Sequence, residues 1–167
     1  MTNILQTSNL SIINQLIALL ESMPFEQYQQ PLKALHHSSI GQHTRHIVEF
    51  YQCLILGAAL GEINYDARER KLAIEQDKFF AVNCLEKCVD QLLMIDGDKP
   101  LNMKAVLAGN EVVDLPTSLF RELNYLIEHT VHHLAIIKIG ITESFEGFEI
   151  PKDFGVAHST LLYRQGA

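Results

Sequence analysis

Histidine is the residue type in this chain best suited to chemistry, and its eight copies are unevenly placed. Seven of them lie in two short windows, residues 36–46 and 129–133 of a 167-residue sequence. His129 and His133 are four residues apart, which on a helix puts both side chains on one face, one turn apart. A helix offers two imidazoles to one metal ion by this spacing. The second window therefore predicts two ligands of a metal site.

The third ligand has to come from the first window, where two histidines compete. His43 and His46 both lie in the first half of another predicted helix, and either could supply the third nitrogen. His46 and His133 each lie seven residues from a predicted helix end, so antiparallel helices would place them at the same height. The alternative is that paired helical histidines are simply exposed or hydrogen-bonded. His132 points away from the proposed face.

A three-histidine site would be open, because four ligands close a structural site and three leave a position for water or substrate. Neutral imidazoles add no negative charge, so a bound cation keeps its full pull on a bound water, thiol or carbonyl. Each ligand should donate its other N–H to an acceptor, for which Glu49, Glu122 and Glu128 are candidates. Tyr125, four residues before His129, could hydrogen-bond a bound ligand.

Four long stretches between prolines predict the helices that would position these residues. Apolar residues recur there at three- and four-residue steps, as on an amphipathic helix. The predicted bounds are 9–22, 39–61, 66–94 and 117–140. The predicted N-terminal caps are Ser8, Ser39 with Gln42, Asp66 with Glu69, and Thr117 or Ser118. Gly140 is predicted to end the last helix.

Residues 101–115 have a different pattern, with Val and Leu residues on both sides of the dipeptide Gly109-Asn110. That dipeptide is typical of a tight turn, so a short β-hairpin is predicted between the third and fourth helices. Three phenylalanines in residues 141–167 indicate that the tail packs onto the body. The predicted fold is an all-α four-helix bundle with this hairpin, as a single domain over residues 1–167.

Two motifs resemble those of a known family. The stretch at 39–47 reads SIGQHTRHI and the stretch at 129–133 reads HTVHH. This pairing is similar to that of the DinB-like (DinB/YfiT-like) family of metal-binding four-helix proteins. The resemblance implies that the ligands are His46, His129 and His133, with His43 beside the site. It also implies a divalent metal ion, most often zinc or nickel.

The resemblance also implies an activity. Characterised relatives include thiol S-transferases, so we expect a metal-dependent transferase or hydrolase acting on a small molecule, with a low-molecular-weight thiol as the candidate. The sequence identifies no catalytic residue beyond the ligands. A non-catalytic helical module that binds a metal or a small ligand is the alternative.

Composition excludes several other classes. The net charge of −7 disfavours nucleic acid as a partner, and the basic residues Arg68, Arg70 and Lys71 are expected on a solvated helix face. No apolar run reaches the roughly 20 residues of a membrane span. Three cysteines form no disulfide framework and the N-terminus lacks a signal-peptide pattern, which predicts a cytoplasmic location. Apolar helices of this length could pair into a homodimer.

Overall fold

The computed structural model describes residues 3–166, which are mostly helical with a small three-stranded sheet. The helices are α1 (Ile4–Ser22), α2 (Phe25–Gln29), α3 (Ile40–Leu60), α4 (Leu72–Gln76), α5 (Lys78–Leu93), α6 (Leu119–Ser144) and α7 (His158–Gln165). The strands are β1 (Glu62–Ile63), β2 (Pro100–Val106) and β3 (Val112–Ser118). The prediction of a mainly helical chain is confirmed.

The four long helices bury their apolar faces against one another. Helices α1 and α3 each pack against both α5 and α6. Each of the four contributes side chains with no exposed area to the core, among them Leu16, Leu54, Leu85 and Leu134. Burial of this apolar surface stabilises the arrangement far more than helix propensity does. Within residues 3–166, no helix has the length and apolarity needed to cross a membrane.

Of the four predicted caps, Ser39 and Ser118 are confirmed, whereas Ser8 and Asp66 are wrong. The side chains of Ser39 and Ser118 accept hydrogen bonds from backbone N–H groups three residues on and begin α3 and α6. Helix α1 begins well before the predicted Ser8 cap. Asn3 and Gln6 form a capping box there, in which the Asn3 N–H donates to Gln6 Oε1 at 2.7 Å.

The predicted third helix is wrong over its first part, because residues 64–71 form a loop. Asp66 caps no helix; its carboxylate accepts a hydrogen bond from the backbone N–H of Val106 at 2.9 Å. Asp77 is the actual cap of α5 and accepts from two backbone N–H groups. Asn64 stabilises the loop, because its Oδ1 accepts hydrogen bonds from the backbone N–H groups of Asp66 and Ala67.

The predicted hairpin is confirmed with longer strands. β2 and β3 pair antiparallel, and Gly109 and Asn110 take left-handed backbone conformations in the connection. Strand β1 pairs parallel to β2 and was missed, because two residues are too few to show an alternating pattern.

The predicted end of the last helix at Gly140 is also wrong, since α6 continues to Ser144. Gly140 is instead a point of close packing: a Cβ atom there would lie 2.7 Å from Leu35 Cδ1. The following segment packs onto the body as expected. Phe154 is buried, and the Gly155 N–H donates to Gln15 Oε1 on α1 at 3.3 Å. Ala167, the last residue of the predicted tail, lies outside the described residues.

Candidate metal centre

The structure brings the three predicted ligand residues together. His46 lies on α3, and His129 and His133 lie one turn apart on α6. One ring nitrogen from each lies within 4.8 Å of the other two. The Nε2 atoms of His46 and His129 are 2.9 Å apart. Two stretches more than 80 residues apart in sequence therefore converge on one point.

The packing of α3 against α6 brings His46 close to His129 and His133. Tyr51 on α3 and Thr130 on α6 are buried and in contact, with Thr130 Oγ1 3.5 Å from the Tyr51 hydroxyl. The three histidines are half-buried. The imidazoles consequently lie at the edge of the helix contact, between the core and the surface.

Aromatic rings fix one side of the cluster. Phe50, one turn after His46, lies 4.5 Å from the His46 ring centroid and stacks on His129 at 4.4 Å. Tyr65 stacks on Phe50, with the two ring centroids 4.8 Å apart. Tyr125 stacks on His129 at 5.4 Å, so the predicted position of Tyr125 beside the site is confirmed. These contacts hold the imidazoles in place and keep water from one side of them.

The histidines of the cluster are neutral at physiological pH. Burial lowers the pKa of His46 to about 4, with further lowering by the Arg68 cation, and burial lowers the pKa of His133 to about 3. Burial also lowers the pKa of His43 and of His129. A neutral imidazole carries one lone pair, so the donor set fits a cation in its chemistry.

The competing histidine, His43, lies behind one of the ligand residues. Its Nδ1 is 3.0 Å from Nδ1 of His133. The mutually close set of nitrogens comprises His46, His129 and His133, with His43 adjoining it through His133. His132 is exposed, and its ring is nearly perpendicular to that of His133 at a centroid distance of 5.5 Å. His36, His37 and His158 are exposed as well.

The expected carboxylate acceptor Glu49 has other partners. Its side chain is buried and accepts a hydrogen bond from the Lys71 backbone N–H at 2.8 Å. It also lies in ion-pair range of Arg45 at 3.5 Å and of Arg68 at 3.4 Å. Glu49 therefore pairs with two arginines, and the expectation that it accepts from a histidine N–H is wrong.

Glu122 is likewise occupied, and Glu128 is exposed. The buried Glu122 carboxylate accepts from the Tyr65 hydroxyl at 3.0 Å and from Thr117 Oγ1 at 2.6 Å, and it pairs with Arg121 at 2.9 Å. Burial and the Glu122 charge raise the pKa of Tyr65. Glu122 thus anchors Tyr65, which in turn stacks on Phe50 beside the histidines.

Arg68 is the residue of the site that sequence reasoning missed. Its Nη2 lies 3.1 Å from His46 Nδ1, its Nη1 donates to the Tyr65 carbonyl at 2.8 Å, and its guanidinium lies over the Phe50 ring. The expectation of a solvated helix face is wrong for Arg68, because residues 64–71 form a loop that carries it to the cluster. No signal in the local sequence marks this contact.

Comparison with known proteins leaves the family unassigned. No family model matches the chain. A stretch of 106 residues, 60% of the chain, is 33% identical to FK506-binding protein 5 of Rhizopus delemar. The match covers 27% of that protein, so the chain spans only about a quarter of its length. This similarity does not bear on the resemblance to the DinB-like family, which stays a prediction.

Proposed function

We propose that the protein binds one divalent metal ion through His46, His129 and His133 and uses the open coordination position for chemistry on a small molecule. One observation carries the proposal: a nitrogen from each of three neutral imidazoles lies within 4.8 Å of the other two. Zinc and nickel are the metals we favour, because both accept nitrogen ligands of this kind.

We also infer a four-helix bundle of the DinB-like kind. The support is that α1 and α3 each pack against both α5 and α6, and that the motif histidines of α3 and α6 face each other. Helix bundles commonly build metal sites from side chains on facing helices.

The side chains around the cluster suit a transferase or a hydrolase. The metal ion would supply electrophilic pull on a water, a thiol or a carbonyl. Burial raises the pKa of Tyr125, so its hydroxyl stays protonated and can donate a hydrogen bond to a bound substrate. Phe50 and Tyr65 shield one side from water. A low-molecular-weight thiol in the cytoplasm is the substrate we favour, and the three free cysteines fit that reducing compartment.

One observation favours the alternative, a non-catalytic metal-binding module. Among residues 3–166, the two buried carboxylates nearest the cluster, Glu49 and Glu122, are both engaged by arginines. Neither is free to act as a general base. A thiol-transfer assay with zinc or nickel added separates the two functions, since turnover supports the enzyme and its absence supports the module.

Metal analysis of protein purified without an affinity tag tests the shared claim. We expect one equivalent of metal in the wild type and in His132→Ala, the matched control on the same helix. We expect none in His129→Ala or His46→Ala. Equal metal content in the wild type and His129→Ala would contradict the ligand assignment. Far-ultraviolet circular dichroism checks that every variant is folded.

A further inference from the structure

In the contact between Arg68 and His46 the histidine accepts a hydrogen bond, which is the reverse of what a metal-bound histidine does. A metal-bound histidine ordinarily donates its remaining N–H to an acceptor. Arg68 offers only donors, because the guanidinium stays protonated. Its Nη2 lies 3.1 Å from His46 Nδ1, so that nitrogen must hold the lone pair. The ring proton then lies on Nε2, which is the atom that faces His129 at 2.9 Å.

This contact and metal ligation by His46 Nε2 therefore exclude each other. A neutral His46 that gives its Nε2 lone pair to a cation carries its proton on Nδ1. That N–H would point at an N–H of Arg68, and the guanidinium would sit beside an added dication. Arg68 has to leave His46 when a metal ion binds.

The structure provides a second partner for Arg68. Its Nε and the Oε2 of Glu49 are 3.4 Å apart, close enough for an ion pair. Within the described part of the chain, neither of these buried atoms has a hydrogen-bond partner. A small shift of the guanidinium toward Glu49 would satisfy both atoms, and leaving such atoms unpaired is costly. Arg68 and Glu49 also line a cavity of about 360 Å³, which gives the side chain room to move.

We propose that Arg68 sets the metal affinity of the site by exchanging partners. In the metal-free protein it donates to His46 and lies 3.4 Å from Glu49 without a hydrogen bond to it, and in the metal-bound protein it leaves His46 and donates to Glu49. The inference rests on the proposed function, since it concerns the same three ligands. It makes Arg68 a positioning residue that opposes metal binding, whereas an ordinary neighbour of a ligand supports it.

A set of variants tests the sign of this effect, with the dissociation constant for Zn²⁺ measured by competition with a chromogenic chelator. Arg68→Met keeps the apolar stem and removes the donors, so we expect roughly tenfold tighter binding. Glu49→Gln weakens the second placement, so we expect weaker binding by a similar factor. Arg121→Met is the matched control, because Arg121 lies over Tyr125 and pairs with Glu122. We expect it to bind within twofold of the wild type.

The double variant Arg68→Met/Glu49→Gln removes both charges together and covers the case in which Arg68→Met alone folds poorly. It should bind as tightly as Arg68→Met, because Glu49 affects metal affinity by drawing Arg68 away from His46. Unchanged or weaker binding by folded Arg68→Met, or by the folded double variant, would overturn the inference and leave the proposed ligands standing. No zinc binding by the wild type, Arg68→Met or the double variant would overturn both.

Discussion

The contact between α3 and α6 carries two polar clusters, one in the core and one at the edge. In the core cluster, the Tyr51 hydroxyl donates to Asn9 Oδ1 at 2.7 Å, and Thr130 Oγ1 lies 3.5 Å from the same hydroxyl. Asn9 Nδ2 donates to the Leu123 carbonyl at 3.2 Å. These side chains are fully buried or nearly so, and each has a partner.

The histidine cluster lies one residue away in each helix, since Phe50 and His129 precede Tyr51 and Thr130. Here nitrogens face nitrogens: Nε2 of His46 faces Nε2 of His129, and Nδ1 of His43 faces Nδ1 of His133. In each pair one imidazole N–H donates to the lone pair of the other ring, as Nε2 of His46 does toward His129. The core cluster joins side chains and backbone in one buried network that stabilises the fold, whereas the histidine pairs hold protons that a bound cation can replace.

The largest expected effect is stabilisation of the histidine cluster by metal. At a free zinc concentration one hundred times the dissociation constant, we expect the free energy of unfolding to rise by about 2.7 kcal/mol. For a chain of this size, that corresponds to roughly 5–10 °C in the melting temperature. A chelator should reverse the shift, and His133→Ala should abolish it. A shift of the same size in His133→Ala would place the metal elsewhere.

A change in the core cluster should lower folding stability and leave zinc affinity nearly unchanged. Tyr51→Phe removes the hydroxyl and leaves Asn9 Oδ1 without its donor, which should cost about 1–3 kcal/mol of folding stability. Zinc affinity should stay within a few-fold of the wild type. Chemical denaturation and chelator competition measure the two quantities. Loss of zinc binding by Tyr51→Phe with no loss of stability would contradict the assignment of a structural role to the core cluster.

His43 should support the ligand next to it. His133 can donate its Nδ1 proton to His43 when its other nitrogen binds a metal, so His43→Ala should weaken zinc binding roughly tenfold. His132→Ala, on the exposed side of the same ligand, should have little effect. Chelator competition on both variants checks this, and equal affinities for the two would show that the contact to His133 is not used.

A further expected effect concerns the pH dependence of folding stability in the metal-free protein. The pKa values of His46 and His133 are lowered on folding, to about 4 and about 3, so the unfolded chain binds more protons below pH 6.5. Stability is therefore complete above about pH 6.5 and falls as the pH drops toward 4. The slope is at most about 1.4 kcal/mol per pH unit for each histidine, and partial exposure reduces it. His133→Gln should flatten the curve, and an unchanged slope would contradict these pKa shifts.

Local patterns predicted much of this molecule. Ser39 and Ser118 begin their helices because a hydroxyl three residues before a free N–H acts within one turn. Gly109-Asn110 makes its turn for a similarly local reason. His129 and His133 share a face because helix geometry alone requires it.

Local patterns could not predict contacts between segments that are far apart in the sequence. Asp66 and Glu69 look like a capping pair, but Asp66 bonds to Val106, 40 residues away, and the chain stays a loop. That loop brings Arg68 to His46, which no spacing rule predicts. Glu49 illustrates the same limit, since its buried carboxylate pairs with arginines from different elements rather than with a histidine.

The most direct test of the central claim is X-ray absorption spectroscopy at the zinc edge on zinc-loaded wild-type protein. The account predicts three imidazole nitrogens at about 2.0–2.1 Å and one further light ligand, oxygen from water, in the first shell. A sulfur ligand near about 2.3 Å, or a first shell with only one or no imidazole, would contradict it.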